Sequence, residues 1–141
     1  MARIKIDLPD HFDFSTDITV YIGHINYGHH LDNGAMLSLV SEARVRYLAA
    51  MGYTERNIEG VGIIVADVAI QYKAEVFYGD TLRFAMTACD FSRVGCDLIY
   101  RAIRIQDQQE VARGKTGVVF FDYDQRSTVA VPPGFRARFT Q

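Results

Sequence analysis

The sequence predicts an α+β fold in which an antiparallel sheet wraps one long helix, and three observations predict it. Met36, Leu39, Val40, Ala43 and Tyr47 recur at spacings of three and four, with Leu37 and Leu48 widening the stripe, the period of a helix apolar over much of its circumference. Residues 62–123 alternate with strand period between short turn-like connections. One further strand precedes the helix, so the order is strand, helix, then four strands with short connections, the pattern of an α+β layer. A helix with so much apolar surface needs curved cover, and about five long twisted strands supply it.

The chain has 141 residues, 49% of them hydrophobic and 12% aromatic, enough for one core, and residues 1–141 are expected to fold as a single domain. The net charge of -2 and the absence of a long Lys/Arg run argue against nucleic acid as a partner. No apolar run approaches the roughly 18 residues of a membrane span, and MARIKIDLPDHF lacks the apolar block of a signal peptide, so a cytoplasmic location is expected.

Taken in order, residues 1–12 read as an irregular N-terminal arm ending near Pro9. Ser15 to Ile22 alternates as a half-buried strand and delivers the chain to a polar loop, His24 to His30. The helix follows from about Asn33 to Met51, with Asp32 or Asn33 as N-cap, Glu42 and Arg46 paired at four residues, and Gly52 supplying the left-handed C-terminal position. Gly52 to Gly60 is turn-like, and Gly62 to Val76 is the longest strand signal. Period two puts Ile64, Ala66, Val68, Ile70, Tyr72, Ala74 and Val76 on a core face. The opposite face begins with Ile63 and Val65, carries Asp67 and turns polar, which predicts contact with another chain at its apolar start.

Thr81 to Phe91, Cys96 to Ile105 and Val111 to Tyr123 complete the antiparallel run, joined by FYGD, SRVG and Gln106 to Glu110. In the last of these strands Ala112, Gly114, Thr116 and Val118 share one face under the helix; the GKT within it lacks the remaining glycine and the helix of a P-loop. Cys89 and Cys96 are expected opposite one another in their hairpin as free thiols. Residues 124–141, with Arg126, Pro132, Pro133, Arg136 and Arg138, read as an exposed strap or shallow cover.

The chemistry concentrates where the polar loop meets the helix. His24, Asn26, Tyr27, Gly28, His29 and His30 stand before a helix N-terminus, whose unpaired amides and positive dipole end polarise carbonyls and hold anions. His29 and His30 point apart in any extended segment and find no partner at ligand spacing, so no metal is expected. His30 either bonds a backbone carbonyl or touches substrate. Asp32 is either a plain cap or a general base or nucleophile. Asp67, flanked by Val65 and Ala69, is either ion-paired or carries a raised pKa suited to catalysis.

The run INYGHHLDN, the helix ending SEARVRYL and the strand reading ADVAIQYKAEVFYGD resemble the hotdog-fold acyl-CoA thioesterases of the 4-hydroxybenzoyl-CoA thioesterase type, over roughly Ile18 to Tyr123. The resemblance implies a hotdog fold, a five-stranded antiparallel sheet around one long central helix. It also implies homodimers through the second strand, with active sites between subunits; the apolar second face of that strand and its unpaired edge place the contact at Ile63 to Ala69, and association of two dimers into a homotetramer is left open. The amide near Asn33 would polarise the thioester carbonyl, and a loop carboxylate would attack it or activate water. That loop position aligns with Asn26 here, and the usual Asn-Asp pair is Asn33-Gly34, so either the base role passes to Asp32 or Asp67 or activity is weak, with His30 as a further site residue. Coenzyme A would be part of the substrate rather than a cofactor, with Tyr27 as a substrate contact and Arg93, Arg126 and Arg136 as phosphate candidates by charge. An acyl-carrier-protein thioester is the alternative substrate. A dehydratase on the same fold, pairing His30 with Asp67, and an acyl-CoA-binding module without turnover are the rival functions.

Overall fold

The computed structural model describes residues 1–139. Its elements are β1 (Phe14–Thr19), a 3-10 turn (Ile22–His24), α1 (Asn33–Ala50), β2 (Gly62–Tyr72), β3 (Thr81–Cys89), β4 (Gly95–Arg104), β5 (Gln109–Asp122), β6 (Ser127–Thr128) and α2 (Pro133–Ala137). The strands form one antiparallel sheet in the order β1-β3-β4-β5-β2, with the two-residue β6 added to β5. This is the hotdog architecture: five long strands around one long helix.

The helix forms where its apolar period predicts. Asp32 Oδ2 accepts the N–H groups of Gly34 and Ala35, and Gly52 closes the C-terminal end at φ 86. Met36, Leu39, Val40, Ala43, Tyr47 and Leu48 are buried against the inward residues of the sheet, among them Leu82, Phe84, Met86, Leu98, Tyr100, Ala112, Val118 and Phe120. Arg44 is also buried, at 9% exposure, where its Nε donates to Glu55 at 2.5 Å.

Several boundaries and faces differ from expectation. The first strand ends at Thr19 because the chain turns at Val20 to bond Asp80 and Gly79. The second ends at Tyr72 rather than Val76, where Lys73 and Ala74 donate to Val111 and Leu31 donates to Val76. Its two faces are not those of an uninterrupted period of two. The register shifts between Val65 and Asp67, so Ala66 is an extra residue and the phase reverses there. Ile63 and Val65 therefore pair with the inward Phe120 and Val118, whereas Ile64 pairs with the outward Val119; beyond the bulge Val68, Ile70 and Tyr72 pair with the inward Thr116, Gly114 and Ala112. Asp67 lies on the outer face over Gly117, ion-paired at 2.6 Å with Lys115, which also reaches Asp97.

Cys89 pairs with Asp97 and Cys96 with Val118, so the thiols are out of register and on opposite faces of the sheet, and both are free. The tail is a cover rather than a strap: Val131 and Phe135 are buried, and Phe135 packs on Tyr53, Phe91, Phe120 and Phe139 at the C-terminal end of α1. The N-terminal arm lies over the outer face, where Ile6 N–H donates to Gln71 Oε1, Arg113 donates to the Ile6 carbonyl, and Arg101 sits on the Phe12 ring. Among the described residues no helix is long and apolar enough to cross a membrane.

Candidate active site

The loop before α1 is folded by its own backbone. Ile25 bridges Leu31, Asn26 N–H donates to the His30 carbonyl, and Asn26 Oδ1 accepts the Gly28 N–H at 2.9 Å, while His29 takes φ 67 to close the turn. Leu31 N–H to the Val76 carbonyl then fastens this loop to the β2–β3 connection, while Asp32 N–H to the His24 carbonyl closes it on the 3-10 turn. Arg104 holds the connection from the other side, donating to the Glu75 carbonyl at 2.6 Å while paired with Asp107 and Asp80.

Between these pieces lies a pocket of about 450 Å³, lined by Asn26, His30, Leu31, Asn33, Met36, Tyr72, Ala74, Glu75 and Val76. It sits against the first turn of α1. Of the four amides there, Gly34 and Ala35 donate to the Asp32 carboxylate and Met36 to the Asp32 carbonyl. Among the described residues Asn33 N–H has no hydrogen-bond partner, and Asn33 lines the pocket. Tyr72 ties the strand to this turn, its hydroxyl donating to the Asn33 carbonyl at 2.6 Å. Burial, and then the Asp32 carboxylate, push the Tyr72 phenol up, which keeps it a proton donor.

The structure thus brings together Asn26, His30 and Asn33 and separates the rest. Of the two alternatives for His30 the structure shows the first, Nδ1 lying 3.3 Å from the Leu31 carbonyl, and the residue also lines the pocket, with Nε2 near Gly28. With Nδ1 as donor to that carbonyl, Nε2 carries the lone pair. Asp32 is engaged as the helix cap and does not line the pocket; Asp67 is on the outer face of the sheet with Lys115. Tyr27 projects into solvent at the loop tip. Arg93 and Arg136 lie beyond the Cys89 end of β3, where Arg136 covers the Phe91 ring and bonds the Ser92 carbonyl, and Arg126 sits over Phe121 beside the start of β2. None of the three lines the pocket of its own chain. Among the described residues no group of three or more His, Cys, Asp or Glu is placed to hold a metal ion.

Sequence reasoning missed Tyr72 and Glu75 as pocket residues. Both lie on the last stretch of the long strand signal, and only the bond from Leu31 to Val76 reveals that this stretch abuts the helix start.

The sequence profile of the Thioesterase-like superfamily matches residues 20–139. No curated protein matches the chain. Among solved structures it is similar to a 1,4-dihydroxy-2-naphthoyl-CoA thioesterase from Synechocystis, with TM-score 0.79 and 19% identity over 88% of this chain and 93% of that one. A DHNA-CoA thioesterase from Staphylococcus aureus superposes with TM-score 0.79 and 17% identity over 89% of this chain and 87% of the other. A gentisyl-coenzyme A thioesterase gives 0.77 and 14% over 87% and 99%. At such identities the structures share the fold; the profile, spanning the pocket loop, α1 and every later strand, goes further, and on that match the chain belongs to the thioesterase-like superfamily, whose enzymes hydrolyse acyl thioesters.

Proposed function

We propose that this protein hydrolyses an acyl-CoA thioester in the pocket at the start of α1, in the cytoplasm, with coenzyme A as part of the substrate. The observation that carries this is an Asn33 N–H at a helix N-terminus, without a hydrogen-bond partner among the described residues, in a pocket that the His30 imidazole also lines. The thioester oxygen accepts from Asn33 N–H, the helix dipole favours the negative charge that develops there, and His30 Nε2 takes a proton from water. The water oxygen bonds to the carbonyl carbon, the C–S bond breaks, and the thiolate of coenzyme A leaves and takes up the proton from His30. Asn26, with Oδ1 spent on Gly28, has its amide nitrogen left to orient water or substrate.

Glu75 lines the same pocket, and among the described residues its carboxylate has no hydrogen-bond or ion-pair partner, which favours it as the second candidate base. The dehydratase alternative needs His30 and Asp67 facing one site, and within one chain they do not meet. The site is completed, in this proposal, by a second copy joined through β2. That strand is an unpaired sheet edge, and its Val65 and Val68 stay 47% and 46% exposed although their backbone partners are inward residues.

The test is thiol release from a panel of short, long and aromatic acyl-CoAs; the aromatic members are included because similar folds act on 1,4-dihydroxy-2-naphthoyl-CoA and gentisyl-CoA. His30→Gln should lower kcat by about a hundred- to ten-thousand-fold, while Asp67→Asn leaves it unchanged. If Glu75→Gln abolishes turnover and His30→Gln does not, the carboxylate is the base. A wild type that binds acyl-CoA without releasing thiol is a binding module.

A further inference from the structure

The stretch from Lys73 to Asp80 supplies one wall of the pocket, through Ala74, Glu75 and Val76, and has no strand to hold it. β2 ends at Tyr72, Lys73 and Ala74 share the Val111 carbonyl, and among these residues Val76 alone is buried. The position of the wall rests on two successive carbonyls. That of Val76 accepts the Leu31 N–H at 2.7 Å, and that of Glu75 accepts from Arg104 Nη1 at 2.6 Å. Only the two backbone rotations of Val76 separate them, so gripping the first narrows where the second can point.

Arg104 stands at the end of β4 with its side chain 15% exposed, and its fork divides between two tasks. Nε and Nη2 brace the β4–β5 turn through Asp107 and Gln109, at 3.0 to 3.2 Å. Nη1 does nothing for that turn. It takes the Glu75 carbonyl and lies 3.8 Å from Asp80 Oδ2, the oxygen that also accepts the Phe77 N–H at 2.9 Å. One nitrogen thus reaches both ends of the β2–β3 connection, and a bond from a charged donor holds a carbonyl more firmly than one from a neutral amide.

We propose that Arg104 is a positioning residue for this site: through the Glu75 carbonyl it sets the wall of Ala74, Glu75 and Val76, and thereby the fit of the pocket around a thioester, without touching substrate. It does not itself line the pocket. The loop bearing Asn26 and His30 closes on its own backbone, and Asn33 N–H belongs to α1. The reacting groups therefore keep their places when the clamp is lost, and the wall is what moves. This deepens the thioester reading of the pocket and rests on it.

The test compares Arg104→Met, which keeps an apolar stem and loses the fork, with Arg104→Lys and Asp107→Asn. In Arg104→Met, KM should rise about tenfold for acyl-CoA and acyl-pantetheine alike, while kcat stays within about threefold. The Leu31 amide, whose acceptor is the Val76 carbonyl, should exchange with deuterium about tenfold faster, with amides of the β3–β4 ladder unchanged. Lysine is a single point donor and cannot hold the Glu75 carbonyl and Asp107 together. Arg104→Lys should therefore fall between Arg104→Met and wild type, and it carries the same test should Arg104→Met fail to fold. Asp107→Asn, which weakens the turn brace alone, should keep wild-type KM and Leu31 exchange. A KM rise confined to acyl-CoA would make Arg104 a phosphate ligand, faster exchange throughout the sheet with unchanged KM would make it a brace of the fold, and wild-type KM and Leu31 exchange in Arg104→Met would mean that the wall stands without it; each overturns the proposal. A wild type that releases no thiol overturns the hydrolase reading instead, and Leu31 exchange then still decides whether Arg104 sets the wall.

Discussion

Replacing Asn33 with proline removes one backbone N–H and almost nothing else that α1 depends on. Asn33 is the first residue of the helix, a position that accepts proline because its N–H has no intrahelical acceptor. Asp32 before it is extended, at φ -66 and ψ 141, as a residue preceding proline must be. The cap survives, since Asp32 Oδ2 is bonded to Gly34 and Ala35, and the Asn33 carbonyl remains to accept the Tyr72 hydroxyl. Stability should therefore stay within about 0.5 kcal/mol, as for substitutions that disturb no packed or bonded group. If Asn33 N–H is the donor to the thioester oxygen, kcat should fall by about a hundred- to a thousand-fold, or about 2.7–4 kcal/mol in the barrier, as when one such donor is lost elsewhere. Asn33→Ala, which keeps the N–H and loses only the side chain, is the control. The assay is thiol release under saturating acyl-CoA, with urea unfolding of the same preparations. Equal turnover of the proline and alanine variants, both folded, would refute the assignment.

Three further outcomes follow from bonds and burial described above. Asp32→Ala should cost about 1 kcal/mol in chemical denaturation, whereas Asp32→Asn, which still caps, should lose a few tenths and keep its turnover; a collapse of rate in Asp32→Asn would return the base role to this carboxylate. Tyr100→Phe should raise stability by about 1 kcal/mol with an unchanged denaturant slope, because the Tyr100 hydroxyl is buried without a hydrogen-bond partner among the described residues; destabilisation would mean that the hydroxyl is satisfied in solution. Burial, then the Asp90 and Asp97 carboxylates, push the Cys89 thiol up to about 11, and burial, then Asp97, pushes Cys96 up to about 12. Both thiols are held protonated at neutral pH, so iodoacetamide should label the native protein slowly, faster as pH rises toward those values, and readily after unfolding.

The helix and its cap were legible because a period of three to four over eighteen residues has one structural solution and Asp32 stands at its start. The inward face of β5 was legible for the same kind of reason, Ala112, Gly114, Thr116 and Val118 all being buried. The faces of β2 were not, since a bulge adds a residue without altering composition and every apolar residue before it changes sides. Asp67 looked stranded only while its neighbour across the sheet, Lys115, was unknown. In the site, Asn26, His30 and Asn33 lie close in sequence and could be grouped by inspection. Tyr72 and Glu75 join them through a contact across about forty residues of chain, which no local pattern encodes.

The aromatic seal at the far end of the core has a consequence for biosynthesis. Phe135 closes over Phe120, Phe91 and Tyr53, yet leaves the ribosome fifteen residues after Phe120. At about 5–20 residues per second, that interval is on the order of one to three seconds. During it the five long strands are already made while one mouth of the core still faces water. Translational pausing between Tyr123 and Pro133 would lengthen this open interval, and a holdase that grips aromatic side chains would find its target there rather than at the pocket loop, whose backbone partners were all synthesised well before.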